Sequence, residues 1–229
     1  MEDKIFSRSI GLLGEDNFNK IQDKVIAIFG LGGVGGTALE ALARTGFKHF
    51  MIIDFDKVDP SNLNRQILYT AKDIGRNKVE AAKDRILAIN ESADIKTFFG
   101  KAQDFDFNQK IDFVVDAIDD VDGKLYILAK AQEHNIPQIM SLGMANRFEP
   151  EKVCVMKLNQ THNDSLAKKV RYMAKKSGMD IGKVQVVISE ELPQKNEEKL
   201  YSIMMVPSSA GLVIAKYILN RIIEYKENL

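Results

Sequence analysis

A run of apolar residues, Val25-Ile26-Ala27-Ile28-Phe29, passes with no spacer into Gly30-Leu31-Gly32-Gly33-Val34-Gly35-Gly36, and a helical pattern follows from Thr37 to Thr45. No other stretch restricts the fold as much. A continuous β-branched run is the pattern of a strand covered on both faces, as in parallel sheets. The spacing G-x-G-x-x-G permits a tight turn and a close backbone approach. It also delivers the chain into a helix N-terminus, where free amides and the helix dipole attract phosphate. Asp54 stands about twenty residues on, at the end of a second apolar run, where a carboxylate accepts ribose hydroxyls. A strand–helix turn with no ligand can use the same glycines. The strand, helix and acid in this order point to a nucleotide held by Gly30, Gly32, Gly33, Gly35 and Asp54. The motif alone does not choose between NAD and ATP.

The alternation continues. Phe50 to Ile53 reads as a second strand, Ile95 to Phe99 as a third, Phe113 to Ala117 as a fourth, and Pro137 opens a fifth through Met140. Lys78 to Ile89 is helical, with Val79, Ala82, Ile86 and Ile89 on one stripe, and Lys124 to His134 is helical too. This predicts an α/β chain with a Rossmann-like, doubly wound, mostly parallel sheet. After Pro150 the pattern loosens. Val153 to Leu158 and Val184 to Ile188 read as strands that continue the sheet antiparallel in the C-terminal third. Ser165 to Ser177 reads as a helix, Glu190 to Lys199 as a charged loop, and Ala210 to Tyr225 as the last helix. At 229 residues the chain is long for one domain and short for two. A single unit is expected: a helical arm over 1–22, a nucleotide-binding part over 23–150 and a substrate-facing extension over 151–229.

Composition narrows the class. Lys and Arg number 32, as do Asp and Glu, so no global field draws in nucleic acid and RNA contacts must come from a local patch. The single cysteine, Cys154, excludes internal disulfides and a Cys-only zinc site within one chain, and suits a reducing cytosol. On a predicted strand it reads as a small core residue rather than a reactive thiol. Met1 to Ile10 is charged and lacks the apolar segment of a secretory signal. The stretch from Ile203 to Leu219 is interrupted by Pro207, Ser208, Ser209 and Lys216, so no membrane span is expected. A soluble, cytoplasmic protein is the expectation. His49, His134 and His162 are scattered and make no metal pattern.

The segment after the second strand separates the two nucleotides. Asp54-Phe55-Asp56-Lys57-Val58-Asp59 runs into Ser61-Asn62-Leu63-Asn64-Arg65-Gln66, and Gly75 and Lys78 follow. A hydride-transferring site has no need for an Asn, an Arg and a Lys in this order. Attack of a carboxylate on the α-phosphate of ATP does, because negative charge builds on phosphate oxygens and departing pyrophosphate. Singly, Arg65 and Lys78 read equally as surface charges, and Asp119 or Asp120 as a helix cap. Together with Asp116-Ala117-Ile118-Asp119, these strings resemble the ThiF/MoeB/HesA group of the ubiquitin-activating superfamily. The resemblance implies ATP with magnesium. It gives Asp54 the ribose, with Asp56 beside it in the cofactor site, and Asn62, Arg65 and Lys78 the phosphates. Gln66 braces that loop and Asp119 holds the metal. Arg8 matches an arginine that reaches into the partner subunit's ATP site, which implies a homodimer; as a residue alone it is equally an exposed arm side chain.

One branch of that superfamily activates the C-terminus of a ubiquitin-like sulfur carrier, usually with two CxxC pairs around structural zinc. This chain has no CxxC, so no zinc is expected. Its later strings resemble instead the tRNA threonylcarbamoyladenosine dehydratase branch. They are Glu40 to Gly46, Ser141 to Asn146 with Pro150, Thr161 to Lys168, and Val206 to Leu212. That resemblance implies adenylation of the threonyl carboxylate on a tRNA adenosine, then ring closure with loss of AMP. Sulfur-carrier adenylation is the alternative, and a NAD(P)-binding oxidoreductase a weaker one. On the helix from Ser165 to Ser177, Leu166, Val170 and Met173 share a face, with Lys168, Arg171 and Lys175 opposite, flanked by Lys169 and Lys176. A solvated amphipathic helix carries such charges as well. With the resemblance, these five cations become expected tRNA contacts. No cysteine lies near the C-terminus, so a sulfur-transfer partner is not expected. The segment from Ser189 to Tyr201 is short for the loop before the V-P-S strand of that branch.

Overall fold

The computed structural model describes residues 2–194 and 200–225, so part of the expected charged loop, 195–199, lies outside the described residues. The arm comprises three short helices, α1 (Glu2–Ile5), α2 (Ser7–Leu13) and α3 (Glu15–Gln22). Next come β1 (Val25–Phe29), α4 (Gly33–Thr45), β2 (His49–Asp54), α5 (Lys78–Leu87), β3 (Asp94–Phe99), β4 (Phe113–Asp116) and α6 (Val121–Glu133). β5 (Gln138–Ser141), β6 (Val153–Lys157), α7 (Ser165–Lys176), β7 (Gln185–Ser189) and α8 (Met205–Ile222) complete the chain.

Among the described residues one seven-stranded sheet runs β3-β2-β1-β4-β5-β7-β6. β7 lies parallel to β5, and β6 closes the edge antiparallel to β7. The antiparallel continuation read from the sequence is therefore this one ladder. Strand order reverses between β1 and β4, the switch point where open α/β sheets bind ligands, and the glycine loop leaves β1 there.

Alternate strand residues face two helical layers. Ile26, Ile28, Phe50, Ile52, Phe113 and Val115 meet α3, α4, α5 and α8. Ala27, Phe29, Met51, Ile53 and Val114 meet α6 and the aromatic segment containing Phe105 and Phe107, and Met140, Val186 and Ile188 meet α6 and α7. Phe29 stacks on Phe107 at 5.4 Å and meets Phe105 edge-on at 5.2 Å. The arm docks through Phe6 and Phe18, whose rings lie 5.7 Å apart. A Cβ on Gly46, just past the C-terminus of α4, would meet Phe18 at 2.3 Å, so the ring occupies the space a side chain would take.

Three helix starts differ from the expectation. α4 starts at Gly33, because its glycines are the first helical turn and not a loop before it. α6 starts at Val121, because Asp120 caps it: its Oδ2 accepts the Gly123 amide at 2.7 Å. α8 starts at Met205, so Val206, Pro207 and Ser208 are helical rather than strand or loop. Pro207 is the third residue of that helix, where the backbone amide has no helical acceptor to lose. Val206, Ile214 and Ile218 of α8 are fully buried, and each such aliphatic side chain contributes about 1.5–3 kcal/mol.

Candidate active site

The turn from β1 into α4 depends on glycine at two places. Gly30 has φ 87°, and a Cβ on it would lie 2.7 Å from the Ala117 carbonyl oxygen, so the loop rests directly on the end of β4. A Cβ on Gly35 would lie 1.9 Å from the Gly30 carbonyl oxygen. No side chain caps the first turn of α4, whose amides therefore point out of the loop free for an anion. Both backbone groups of Leu31 are clamped. Its amide donates to Asp54 Oδ2 at 2.7 Å, and its carbonyl accepts from the Tyr69 hydroxyl at 3.0 Å.

Asp54 is buried, and its Oδ1 accepts the Asp56 amide at 2.8 Å. Burial raises its pKa, opposed by the charge of Lys78 and by the two amides. The carboxylate the sequence assigns to a ribose thus also fixes the glycine loop. Lys78 opens α5 and is buried, with Nζ 2.8 Å from Asp56 Oδ2. The intervening loop folds back through Val58 and Gly75, whose backbones bond at 2.9 Å, which brings Lys78 beside Asp56.

Asn62 and Gln66 shape the cationic loop from inside. Asn62 Oδ1 accepts the Asp59 amide at 3.1 Å, closing a short 3-10 turn. Gln66 is buried beside Gly32, and among the described residues its Oε1 has no partner. Arg65 lies against the glycine loop: a Cβ on Gly33 would sit 3.1 Å from the Arg65 carbonyl oxygen and 3.1 Å from Pro207 Cβ. The Arg65 guanidinium, partly exposed, donates to the Ser61 carbonyl at 2.8 Å and to Asn64 Oδ1 at 3.0 Å. Asn64 Nδ2 in turn donates to the Ser202 carbonyl at 2.8 Å, tying this loop to the segment before α8.

Past β4, Asp119 is exposed, and the cap of α6 is its neighbour Asp120. Asp116, fully buried, pairs with the equally buried Lys124 at 2.8 Å, and Lys124 also donates to the Ser141 carbonyl at 2.7 Å. Burial raises the Asp116 pKa against the pull of Lys124. Its Oδ2 has no partner among the described residues. Arg8 lies exposed on α2, at the arm's docking point near the C-terminal end of α4. Thirteen residues of α4 separate that end from the glycine loop, roughly 20 Å at 1.5 Å per residue. The structure thus brings Gly30, Gly32, Gly33, Gly35, Asp54, Asp56, Asn62, Arg65, Gln66 and Lys78 together at the end of the sheet, with Asp119 beyond β4, and does not bring Arg8 to them.

α7 is held to the same end of the sheet. Its cap, Asp164, accepts the amides of Ala167 at 2.8 Å and Gly143 at 2.9 Å, and lies 3.8 Å from the buried Arg147. Arg147 donates to the Ser189 carbonyl at 2.9 Å, so β5, β7 and α7 end in one network. Asn146, with φ 58°, bonds to both Gln194 and Tyr201. On α7 the buried residues are Ala167, Val170 and Ala174, with Leu166 and Met173 only partly covered. Lys168, Lys169, Lys175 and Lys176 are exposed, whereas the Arg171 guanidinium bonds to the carbonyl and hydroxyl of Thr161. The expected basic face thus keeps its lysines and loses Arg171 to the preceding loop. Tyr69, Lys124 and Arg147 carry no motif, and only their contacts reveal them, while Asn146 closes the Ser141 to Asn146 string and its contacts add a bracing role. Cavities of about 420 Å³ near His49 and about 720 Å³ between β6 and α8 lie away from the glycine loop.

This geometry is that of a Rossmann-like α/β protein with Arg65 and Lys78 placed beside the glycine loop that opens its first helix after the sheet begins. The ThiF family model matches residues 6–229, and the chain belongs to the ThiF family. Within it, the chain is similar to the tRNA threonylcarbamoyladenosine dehydratase of Bacillus subtilis, 33% identical over 225 residues that cover 91% of this chain and 87% of that protein. It is also similar to the tRNA threonylcarbamoyladenosine dehydratase of Escherichia coli. The crystal structure of that enzyme with ATP superposes with a TM-score of 0.91 at 28% identity, covering 97% of this chain and 95% of that one. Its complex with AMP gives a TM-score of 0.91 at 29% identity and the same coverage.

Proposed function

We propose that this chain is an ATP-dependent dehydratase that closes the ring of threonylcarbamoyladenosine in tRNA. The observation that carries the reading is the seating of the Arg65 loop on Gly33, beside free helix-start amides and the Lys78–Asp56 pair. These groups suit a polyphosphate losing pyrophosphate and have no use in hydride transfer. A carboxylate oxygen of the threonyl group attacks the α-phosphorus, the bond to the bridging oxygen breaks, and pyrophosphate leaves. A nucleophile of the same modified side chain then attacks the activated carbonyl, AMP departs with the carboxylate oxygen, and the ring is closed. The substrate loses the elements of water, and ATP hydrolysis to AMP and pyrophosphate accounts for them. The second attack is intramolecular, so no enzyme thiol or zinc is needed.

Arg65 and Lys78 stabilise charge on the phosphates, Asn62 and Gln66 hold their loop, and Asp54 with Asp56 serves the ribose end. Asp119, an exposed oxygen donor past β4, fits magnesium, which when bound neutralises polyphosphate charge. Arg8, on the arm whose Phe18 packs at Gly46, the opposite end of α4 from the glycine loop, would in a homodimer serve the neighbouring copy. Residues 23–150 hold the nucleotide and 151–229 face the tRNA. Among the described residues no helix is long and apolar enough to cross a membrane. The tRNA substrate is what assigns the protein to the cytoplasm. The test is tRNA-dependent exchange of pyrophosphate into ATP, with mass spectrometry of the digested tRNA. Arg65→Ala and Asp119→Ala each lower exchange at least about a hundredfold with melting unchanged. Parent-level exchange in both, or no nucleoside lighter by one water, refutes the proposal.

A further inference from the structure

The chain carries no net charge, and many of its cations are paired: Arg44 with Glu40, Arg76 with Asp73 and Asp84, Lys130 with Glu133, Lys152 with Glu149. The exposed face of α7 is different. It has no acidic residue along its length, and its four lysines have no ion pair among the described residues. At their centre stands Tyr172, 66% exposed. Lys168 and Lys176 are four residues from it, and Lys169 and Lys175 three, so every lysine of the face is a direct helical neighbour of the ring. The buried face of the helix, Ala167, Val170 and Ala174, holds it rigidly on the sheet, and Asp164 pins its first turn to Gly143 at the end of β5. The lysines therefore run outward from the site end of the molecule on a fixed support.

We infer that this face is an RNA-binding surface on which Tyr172 stacks an unpaired base while Lys168, Lys169, Lys175 and Lys176 engage flanking phosphates. The inference rests on the tRNA reading above and names the surface that grips the substrate. An aromatic ring ringed by cations is what single-stranded RNA requires, because each base offers a π-face and each linkage a charge. A lipid surface would call for several apolar side chains beside the lysines, and this face has only the one ring.

The chain contains no tryptophan, so Tyr172→Trp installs a single reporter. Titration with a synthetic anticodon stem-loop RNA carrying the modified nucleoside is expected to quench its fluorescence. The dependence of log K on log salt should have a slope of about −3 for four single-strand phosphate contacts. Lys168→Ala with Lys175→Ala should flatten that slope by about 1.5. Tyr172→Ala should weaken binding about tenfold or more while Tyr172→Phe binds as the parent does, with melting temperature as the control for folding. If the parent binds no RNA at all, the tRNA reading itself fails. If the parent binds but the reporter is silent and Tyr172→Ala binds equally well, RNA sits elsewhere and this inference alone is overturned. A fluorescence change that follows protein concentration instead of RNA means that another copy or a protein partner covers the face, and equally overturns it.

Discussion

Replacing Lys124 with methionine removes the counter-charge of a carboxylate that no solvent reaches. Lys124 and Asp116 are both fully buried and 2.8 Å apart, so the deletion leaves Asp116 alone in the interior. Removing one member of such a pair costs about 3–5 kcal/mol, mostly from the stranded charge and not from the lost attraction. With about 2.1 cal/mol/K of unfolding entropy per residue, 229 residues give about 0.5 kcal/mol/K, so Tm should fall by about 6–10 °C near neutral pH. The sign with pH follows from the direction of the shift. Burial already raises the Asp116 pKa above 3.8, and loss of Lys124 removes the strongest opposing influence. Between the unfolded value and the raised folded value the native chain binds the proton that the unfolded chain has lost, so stability falls as pH rises through that window. The deficit of Lys124→Met relative to the parent is therefore greatest at neutral pH and shrinks in mild acid. Adding Asp116→Asn removes the charge, so the double variant should regain about half of the lost Tm and lose the pH dependence. Calorimetric melting of the two single variants and the double variant across pH makes the measurement. A fall below about 2 °C in Lys124→Met, or a deficit that does not shrink on acidification, would refute the reasoning.

Gly30→Ala should abolish ATP binding in calorimetry, since its Cβ meets the Ala117 carbonyl at 2.7 Å in a backbone conformation of φ 87°; parent-like affinity would show the loop to be dispensable. Asn64→Ala frees Arg65 from one of its two holders and cuts the link to Ser202, and should slow pyrophosphate exchange about tenfold, the worth of one lost hydrogen bond of about 1.4 kcal/mol. An unchanged rate would mean that Ser61 alone positions the guanidinium. Arg8→Ala and Arg65→Ala should each be inactive alone, yet after mixing and reassembly should recover about a quarter of parent activity, because half the dimers are then mixed and each has one intact site. Mixtures that stay inactive speak against action between copies.

What was legible in the sequence was whatever is local. β1, the glycine loop and Asp54 could be read because strand, turn and acid follow one another within a single βαβ unit. The start of α8 was misjudged because Pro207 and two serines look like breakers, while the first turn of a helix tolerates them. Lys124 was read only as the start of a helix. Only the fold turns it inward onto Asp116, and no periodicity marks a charge that a strand end will bury. Arg171 was read by its helical angle, which is right for the Cα but silent about a guanidinium that bends back to Thr161. The links from Asn64 to Ser202 and from Asn146 to Tyr201 join residues far apart in the chain, and pairings of that kind have no one-dimensional signal.

The contact of α8 with α4 ties the last described helix to the glycine loop. A Cβ on Gly211 would lie 2.6 Å from the Val34 carbonyl, Thr37 and Ser208 touch through their hydroxyls at 3.3 Å, and Pro207 walls off Gly33. α8 thus walls the glycine loop from the far side, through residues 171 positions apart in the chain. Undocking of α8 would open one side of that loop, so nucleotide affinity and the seating of α8 should rise and fall together.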